Sequence, residues 1–137
     1  MNTKEALQLL KSYLENFAMH PLFLKELASL LKNELKGKES RFFKLLVTQL
    51  KNIQDFGIMV HTVDSNEKIQ GLDGHYYSIH FTQSQFNIRF LIHISNDNAV
   101  YFLSAFYERG GKKATDYSQY TSVLPSRLKD MEENYNE

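Results

Sequence analysis

The stretch HYYSIHFTQSQFNIRFLIHISNDNAVYFLSAFYE, residues 75–108, decides the fold of this 137-residue chain. It holds three runs rich in β-branched and aromatic residues, which predict β-strands: His75–Phe81, Phe86–Ser95 and Ala99–Glu108. Short polar breaks, Thr82 to Gln85 and Asn96 to Asn98, separate the runs. Because a parallel crossover needs a dozen or more residues, these breaks predict an antiparallel meander.

Alternation along the strands assigns the two faces of this sheet, because successive side chains point to opposite sides. In the middle run the apolar residues from Ile88 to Ile94 point to the predicted core, and the set from Asn87 to His93, with Arg89 in it, points away. In the first run Tyr77, Ile79 and Phe81 form the core set, and Tyr76, Ser78 and His80 point away. The third run is ambiguous, since both of its sets are apolar. We therefore expect His80, Arg89 and His93 to share one open face.

The chain on either side of the sheet has the three- and four-residue apolar spacing of amphipathic helices. Helices are predicted over residues 3–18 with Thr3 as N-cap, 21–36 with Pro21 in the first turn, 40–55, and about 117–134, where Pro125 bends the helix or delays its start. Helices, then a meander, then a helix indicate an α+β fold in a single domain, 1–137. Its predicted parts are an added N-terminal helix (1–20), a helical hairpin (21–56), an antiparallel sheet of three to four strands (70–109) and a C-terminal helix (117–134).

Composition narrows the class of protein. The chain has no Cys, which excludes disulfides and thiolate chemistry, and no segment with the pattern of a membrane span or a secretion signal. We expect a cytoplasmic protein with no membrane partner. The net charge is zero, which disfavours a nucleic-acid ligand, although residues 36–60 hold five basic and two acidic residues.

Several cationic residues are candidates for a phosphate-binding site. Arg89 and His80 lie on the predicted open face, and Arg109, Lys112 and Lys113 flank Gly110-Gly111 just after the third run. Arg and Lys stabilise the charge of a phosphate in its transition state, and His or Tyr can move a proton to or from a ribose hydroxyl. Each of these residues also has an ordinary interpretation as part of a solvated surface.

The ordered pattern from Phe56 to Asp130 resembles the HigB-like, phage-derived branch of the RelE toxin superfamily. A helix that ends in a Phe-Gly motif is followed by a Gly-Leu motif and a Tyr-bearing strand, an Arg-bearing strand, an apolar strand leading to a Lys pair, and an Arg-Leu-Lys helix. These motifs are Phe56-Gly57, Gly71-Leu72, Tyr77–Phe81, Asn87–Phe90, Ala99–Phe106, Lys112-Lys113 and Arg127–Asp130. The resemblance covers a little over half of the chain.

The resemblance implies a RelE-like fold and a metal-independent mRNA endoribonuclease, the toxin of a type II toxin-antitoxin system. It assigns phosphate binding to Arg89 and places Lys112 and Lys113 beside the RNA backbone; with His80, which could supply an acid or base, these are the predicted catalytic residues. The RNA-binding candidates that complete this site are Arg109, His93, Lys44 and Lys51. The implied partners are mRNA, on or off the ribosome, and a HigA-like antitoxin with a helix-turn-helix domain. No cofactor or metal is expected.

The chain departs from the family in three ways. It has His80 where the family commonly carries Arg, it shows only a helical segment in place of an N-terminal strand, and its net charge is zero. Two other classes remain open beside the toxin. One is a protein of the same fold that binds antitoxin, RNA or ribosome without cleavage, and the other is a phage or plasmid structural protein that assembles through its N-terminal helices.

Overall fold

A computed structural model describes residues 2–15, 17–109 and 116–135 of the chain. Five helices and a 3-10 turn combine with five strands in an α+β fold. In chain order they are α1 (Thr3–Tyr13), β1 (Ala18–Met19), α2 (Pro21–Lys32), α3 (Glu39–Phe56), the 3-10 helix (Gly57–Thr62), β2 (Glu67–Lys68), β3 (Tyr76–Gln83), β4 (Phe86–Ile94), β5 (Val100–Tyr107), α4 (Ser118–Thr121) and α5 (Leu124–Tyr135).

The sheet has the strand order β1-β5-β4-β3-β2, with β1 parallel to β5 and every other pair antiparallel. The predicted meander is therefore confirmed, but the sheet has five strands rather than three to four. The strand at its outer edge, β1, comes before the hairpin of α2 and α3, where the sequence showed only a helix. Two residues are too few for an alternation signal, so the pattern did not reveal it.

Helix boundaries follow local capping. Asn2, not Thr3, caps α1, because the Asn2 side chain accepts a hydrogen bond from the Glu5 N–H at 2.8 Å. The helix ends at Tyr13 rather than near residue 18, and the chain then enters β1. The predicted C-terminal helix is two helices, and Pro125 lies in the first turn of α5, where proline is tolerated.

Both faces of the sheet are covered by helices. Helices α1, α2 and α3 pack on the first face around an aromatic cluster of Phe23, Phe42, Phe81, Phe90 and Phe102. Helix α5 packs on the second face, which carries Arg89. Its apolar contacts are formed by Leu91, Leu103, Phe106, Leu124, Leu128 and Met131. The expectation that this second face is open is therefore wrong.

A β-bulge explains the ambiguous third run. Leu91 pairs with Ser104 and Ile92 with Phe102, so Leu103 is an extra residue in β5. The bulge changes the alternation, and Phe106 therefore joins Leu103 on the second face. A strictly alternating pattern placed Phe106 with Phe102 instead.

Side chains close the two sheet edges beyond the short outer strands. On β5, Glu26 accepts from the Ala105 N–H at 3.1 Å, and Arg127 donates to the Leu103 carbonyl at 2.7 Å while it pairs with Glu26. On β3, the side chains of Gln49 and Asn66 bind both backbone groups of His80. These side chains block further strand pairing at those positions. None of the described helices is long and apolar enough to cross a membrane.

Candidate functional site

The guanidinium of Arg89 is the centre of a polar cluster on the second face. Arg89 lies in the middle of β4 and is only 6% exposed. Its Nε donates to the Tyr117 hydroxyl at 3.1 Å, its Nη1 donates to Thr82 Oγ1 at 3.1 Å, and its Nη2 forms an ion pair with Glu108 Oε2. A buried cation needs such partners, because desolvation is otherwise too costly.

Glu108, Asn87 and Thr82 connect this cluster to the surface. Asn87 Nδ2 donates to Glu108 Oε2 at 3.4 Å, and Thr82 Oγ1 donates to Asn87 Oδ1 at 3.0 Å. The Glu108 side chain is 27% exposed, whereas that of Arg89 is 8% exposed. Thr82, Asn87, Glu108 and Arg109 line one surface groove of about 500 Å³. The Glu108 carboxylate therefore contacts the buried guanidinium and also lines the surface groove.

His80 is the cross-strand neighbour of Arg89. Directly opposite residues have Cβ atoms about 5 Å apart. Burial and the nearby Arg89 charge lower the pKa of His80 from its ordinary value of 6.5 to about 4. Its Nε2 has no hydrogen-bond partner, and Glu67 Oε2 lies 3.9 Å away. At neutral pH, His80 is thus an uncharged imidazole.

This low pKa predicts a loss of stability in acid. The unfolded chain takes up a proton near pH 6.5, whereas native His80 does so only near pH 4, so protons favour unfolding as pH falls through this window. Each unit of pKa difference is worth about 1.4 kcal/mol, so the His80 contribution reaches up to about 3 kcal/mol. Urea unfolding of wild type and His80→Gln between about pH 7 and about pH 4.5 measures this contribution of His80 to the free energy of unfolding. We expect the stability of wild type relative to His80→Gln to decrease as pH falls. A stability difference that stays constant with pH would contradict the assignment.

Tyr117 is the remaining side chain that contacts the Arg89 guanidinium. It lies just before α4, where Asp116 accepts from the Ser118 N–H at 3.0 Å, and its ring packs edge-on against Phe106 at 5.3 Å. Burial raises the pKa of Tyr117, so the hydroxyl keeps its proton at neutral pH. Tyr117 therefore combines a packing role with a polar one, since its hydroxyl contacts Arg89.

Among the described residues, the predicted site residues His93, Lys44 and Lys51 do not join this cluster. His93 lies on the second face but four residues along β4 from Arg89, or about 13 Å, between the rings of Tyr76 and Tyr101. Burial lowers its pKa. Lys44 and Lys51 are exposed on α3, which packs on the first face. Lys112 and Lys113 lie outside the described residues.

Arg109 borders the same surface groove as Glu108 but has its own contacts. Its Nη2 lies 3.7 Å from Glu34 Oε1, and its guanidinium lies over the Tyr107 ring at 4.9 Å. Its side chain is 58% exposed. Arg109 therefore provides an exposed cation in the lining of the groove that Glu108 also lines.

Sequence reasoning missed Thr82, Asn87 and Glu108. Thr82 and Asn87 are register partners across the β3–β4 hairpin, and Glu108 directly follows β5. The available signal was the polar character of these three positions at the strand ends. No set of three described His, Asp or Glu side chains is arranged to hold a metal ion.

Comparison with known proteins adds no relative: no family model, no curated protein and no solved structure matches the chain. The fold and the Arg89 cluster therefore carry the functional argument.

Proposed function

We propose that the chain is the toxin of a type II toxin-antitoxin system, a HigB-like mRNA endoribonuclease of the RelE superfamily. The observation that carries the proposal is the cluster itself, in which a buried guanidinium lies beside a neutral imidazole and a protonated phenol on one sheet face. The strand β1 before the helical hairpin adds support, because the resemblance implies an N-terminal strand.

These groups suit cleavage by the RNA's own 2′-hydroxyl. The 2′-oxygen attacks the adjacent phosphorus, the bond to the 5′-oxygen breaks, and a 2′,3′-cyclic phosphate and a 5′-hydroxyl result. Arg89 neutralises the phosphate charge that grows in the transition state. Neutral His80 accepts the 2′-hydroxyl proton, and Tyr117 donates one to the leaving 5′-oxygen. No metal takes part in this scheme.

Glu108 competes with a phosphate for Arg89, since its carboxylate is paired with the guanidinium and also lines the surface groove. Glu108→Gln removes this competing charge and the repulsion between carboxylate and phosphate. We expect RNA affinity and cleavage rate to rise about three- to tenfold, since a charged hydrogen bond exceeds a neutral one by about 1 kcal/mol. Initial rates on a fluorescent RNA oligonucleotide measure the effect.

The matched control is Glu133→Gln, which removes the same charge from an exposed position on α5. Glu133→Gln should leave RNA affinity and cleavage rate unchanged. Equal gains from the two variants would show a general charge effect, and a loss of activity in Glu108→Gln would make Glu108 a working part of the site.

The direct test incubates the purified protein with mRNA, with and without ribosomes, in the presence of a chelator. Fragments with 2′,3′-cyclic phosphate ends support the proposal, as does growth arrest on expression that a co-expressed helix-turn-helix antitoxin relieves. Intact RNA under both conditions would refute endoribonuclease activity. The proposed place of action is the cytoplasm, where translated message is found.

A second candidate is a protein of the same fold that binds RNA, ribosome or antitoxin without cleavage. The Arg89–Glu108 ion pair favours it, because the phosphate-binding arginine is already neutralised in this structure. RNA or ribosome binding without any cleaved product, in wild type and in Glu108→Gln alike, would select this candidate.

A further inference from the structure

A separate apolar groove lies on the first face, where α3, β1 and the β4–β5 turn meet. It consists of two adjoining depressions of about 420 and 380 Å³ that share Phe17, Asn98 and Val100. The first depression is lined further by Ile53, Phe56, Ile58 and Ile94. We call this surface the Phe17 groove.

Gly57 shapes the Phe17 groove. Its φ of 52° is unfavourable for other residues, and a Cβ at this position would lie 3.1 Å from Asn98 Oδ1. The glycine therefore lets the β4–β5 turn approach the end of α3. The sharp turn also leaves three neighbouring apolar side chains at the surface, with Phe56 44%, Ile58 41% and Met59 51% exposed. A cluster of large exposed apolar side chains is typical of an interaction site.

The charged side chains of the Phe17 groove have one sign. Asp55 lines the first depression and Glu15 lines the second, and no Lys or Arg is among the described lining residues of either. Asp97 adds an exposed carboxylate next to Asn98, and its hydrogen bond with Ser95 lowers its pKa, so it is ionised at neutral pH. A cationic ligand with apolar anchors would complement both features.

We propose that the Phe17 groove docks a cationic amphipathic helix of a partner protein. Two adjoining depressions can take two apolar side chains from one face of a helix, and basic residues beside them would face Asp55 and Glu15. Strand addition is disfavoured here, since β5 already pairs with β1 at Tyr101 and Phe102.

The Phe17 groove is remote from the Arg89 cluster. Ile94, in its lining, is five residues along β4 from Arg89, about 17 Å, and belongs to the core of the opposite face. The proposal therefore stands or falls independently of RNA cleavage.

Two synthetic peptides test the proposal against the full chain. Both have Leu at positions i, i+3, i+4 and i+7, and one has Lys at the remaining positions while the other has Glu. Fluorescence anisotropy should show the Lys peptide binding at least about tenfold more tightly than the Glu peptide, with affinity that falls as salt rises.

Three variants locate the binding surface. Ile58→Asp places a charge in the apolar lining and should weaken Lys-peptide binding at least about tenfold, and Asp55→Lys should weaken it at least about threefold. The matched control is Val47→Asp, a change at a similarly exposed apolar residue of α3 outside the lining, which should have no effect. Unchanged circular dichroism would show that each variant is folded.

Several outcomes would overturn the proposal. These are equal binding of the two peptides, no binding of either, or a loss in Val47→Asp as large as that in Ile58→Asp. If the chain alone is a dimer that Ile58→Asp converts to a monomer, the Phe17 groove is covered by a second copy and the partner assignment is wrong.

Discussion

Arg89→Lys should lower the rate of RNA cleavage by about 100- to 1,000-fold, the usual cost of losing one preorganised donor to a transition state. The guanidinium contacts Tyr117, Thr82 and Glu108 at once through three different nitrogens. A lysine ammonium keeps the charge but has no planar fork, so it cannot hold Tyr117, Thr82 and, in place of Glu108, a phosphate in one geometry. The variant therefore separates the shape of the guanidinium from its charge.

The measurement is the initial cleavage rate of an RNA oligonucleotide, with thermal unfolding of each protein as a check on folding. The matched control is Arg127→Lys, because Arg127 is also a poorly exposed arginine in an ion pair, with Glu26 at 2.9 Å, but lies at the β5 edge. It should lose stability and keep its cleavage rate per folded molecule. If Arg89→Lys cleaves within about threefold of wild type, Arg89 does not bind the reacting phosphate.

The sequence predicted the two long central strands well because their side chains alternate without interruption. In β3 and β4 every residue of the predicted core-facing set is apolar and packs in the core of the first face. The pairing of His80 with Arg89 confirms that these two residues share the other face. The same reasoning failed in β5, where the bulge at Leu103 changes the alternation. It also missed β1, whose two residues carry no periodic signal.

The candidate site was less predictable from the sequence. It depends on the register between strands and on the surface that each helix covers, and neither is encoded in the periodicity of apolar residues. Glu108 reaches Arg89 only because β5 ends level with the start of β4, where the Glu108 N–H donates to the Asn87 carbonyl. Helix α5 has a recognisable apolar stripe, but the pattern does not say which surface it covers. Exposed lysines such as Lys44 and Lys51 show no pattern that separates a ligand contact from a solvated surface, and the structure places them on the other face.

Gln49→Leu should cost about 3 to 5 kcal/mol of folding stability, more than a typical polar substitution, because it leaves several buried polar groups without partners. Gln49 is 4% exposed and Asn66 is 5% exposed. Their amides bond to each other in both directions, at 3.1 and 2.9 Å. Gln49 also donates to the His80 carbonyl at 2.8 Å, and Asn66 accepts from the His80 N–H at 3.0 Å. The two amides thus make the hydrogen bonds to the His80 backbone that a neighbouring strand would otherwise make.

Urea unfolding of Gln49→Leu, Asn66→Leu and the double variant measures this role. Removing one amide leaves the other unpaired, so the double variant should be less destabilised than the sum of the single variants. It should still be less stable than wild type, since the backbone groups of His80 lose both partners. The control is Gln54→Leu, at an exposed position on the same helix, which should change stability by no more than about 0.5 kcal/mol.

The amide pair also connects stability with the candidate site. His80 is the residue of β3 opposite Arg89, so the two amides fix the backbone of the strand that faces the guanidinium. If Gln49→Leu loses less than about 1 kcal/mol, water satisfies these groups as well as the amides do. The position of His80 would then depend on its pairing with β4 alone, because no side chain would be needed to hold the outer edge of β3.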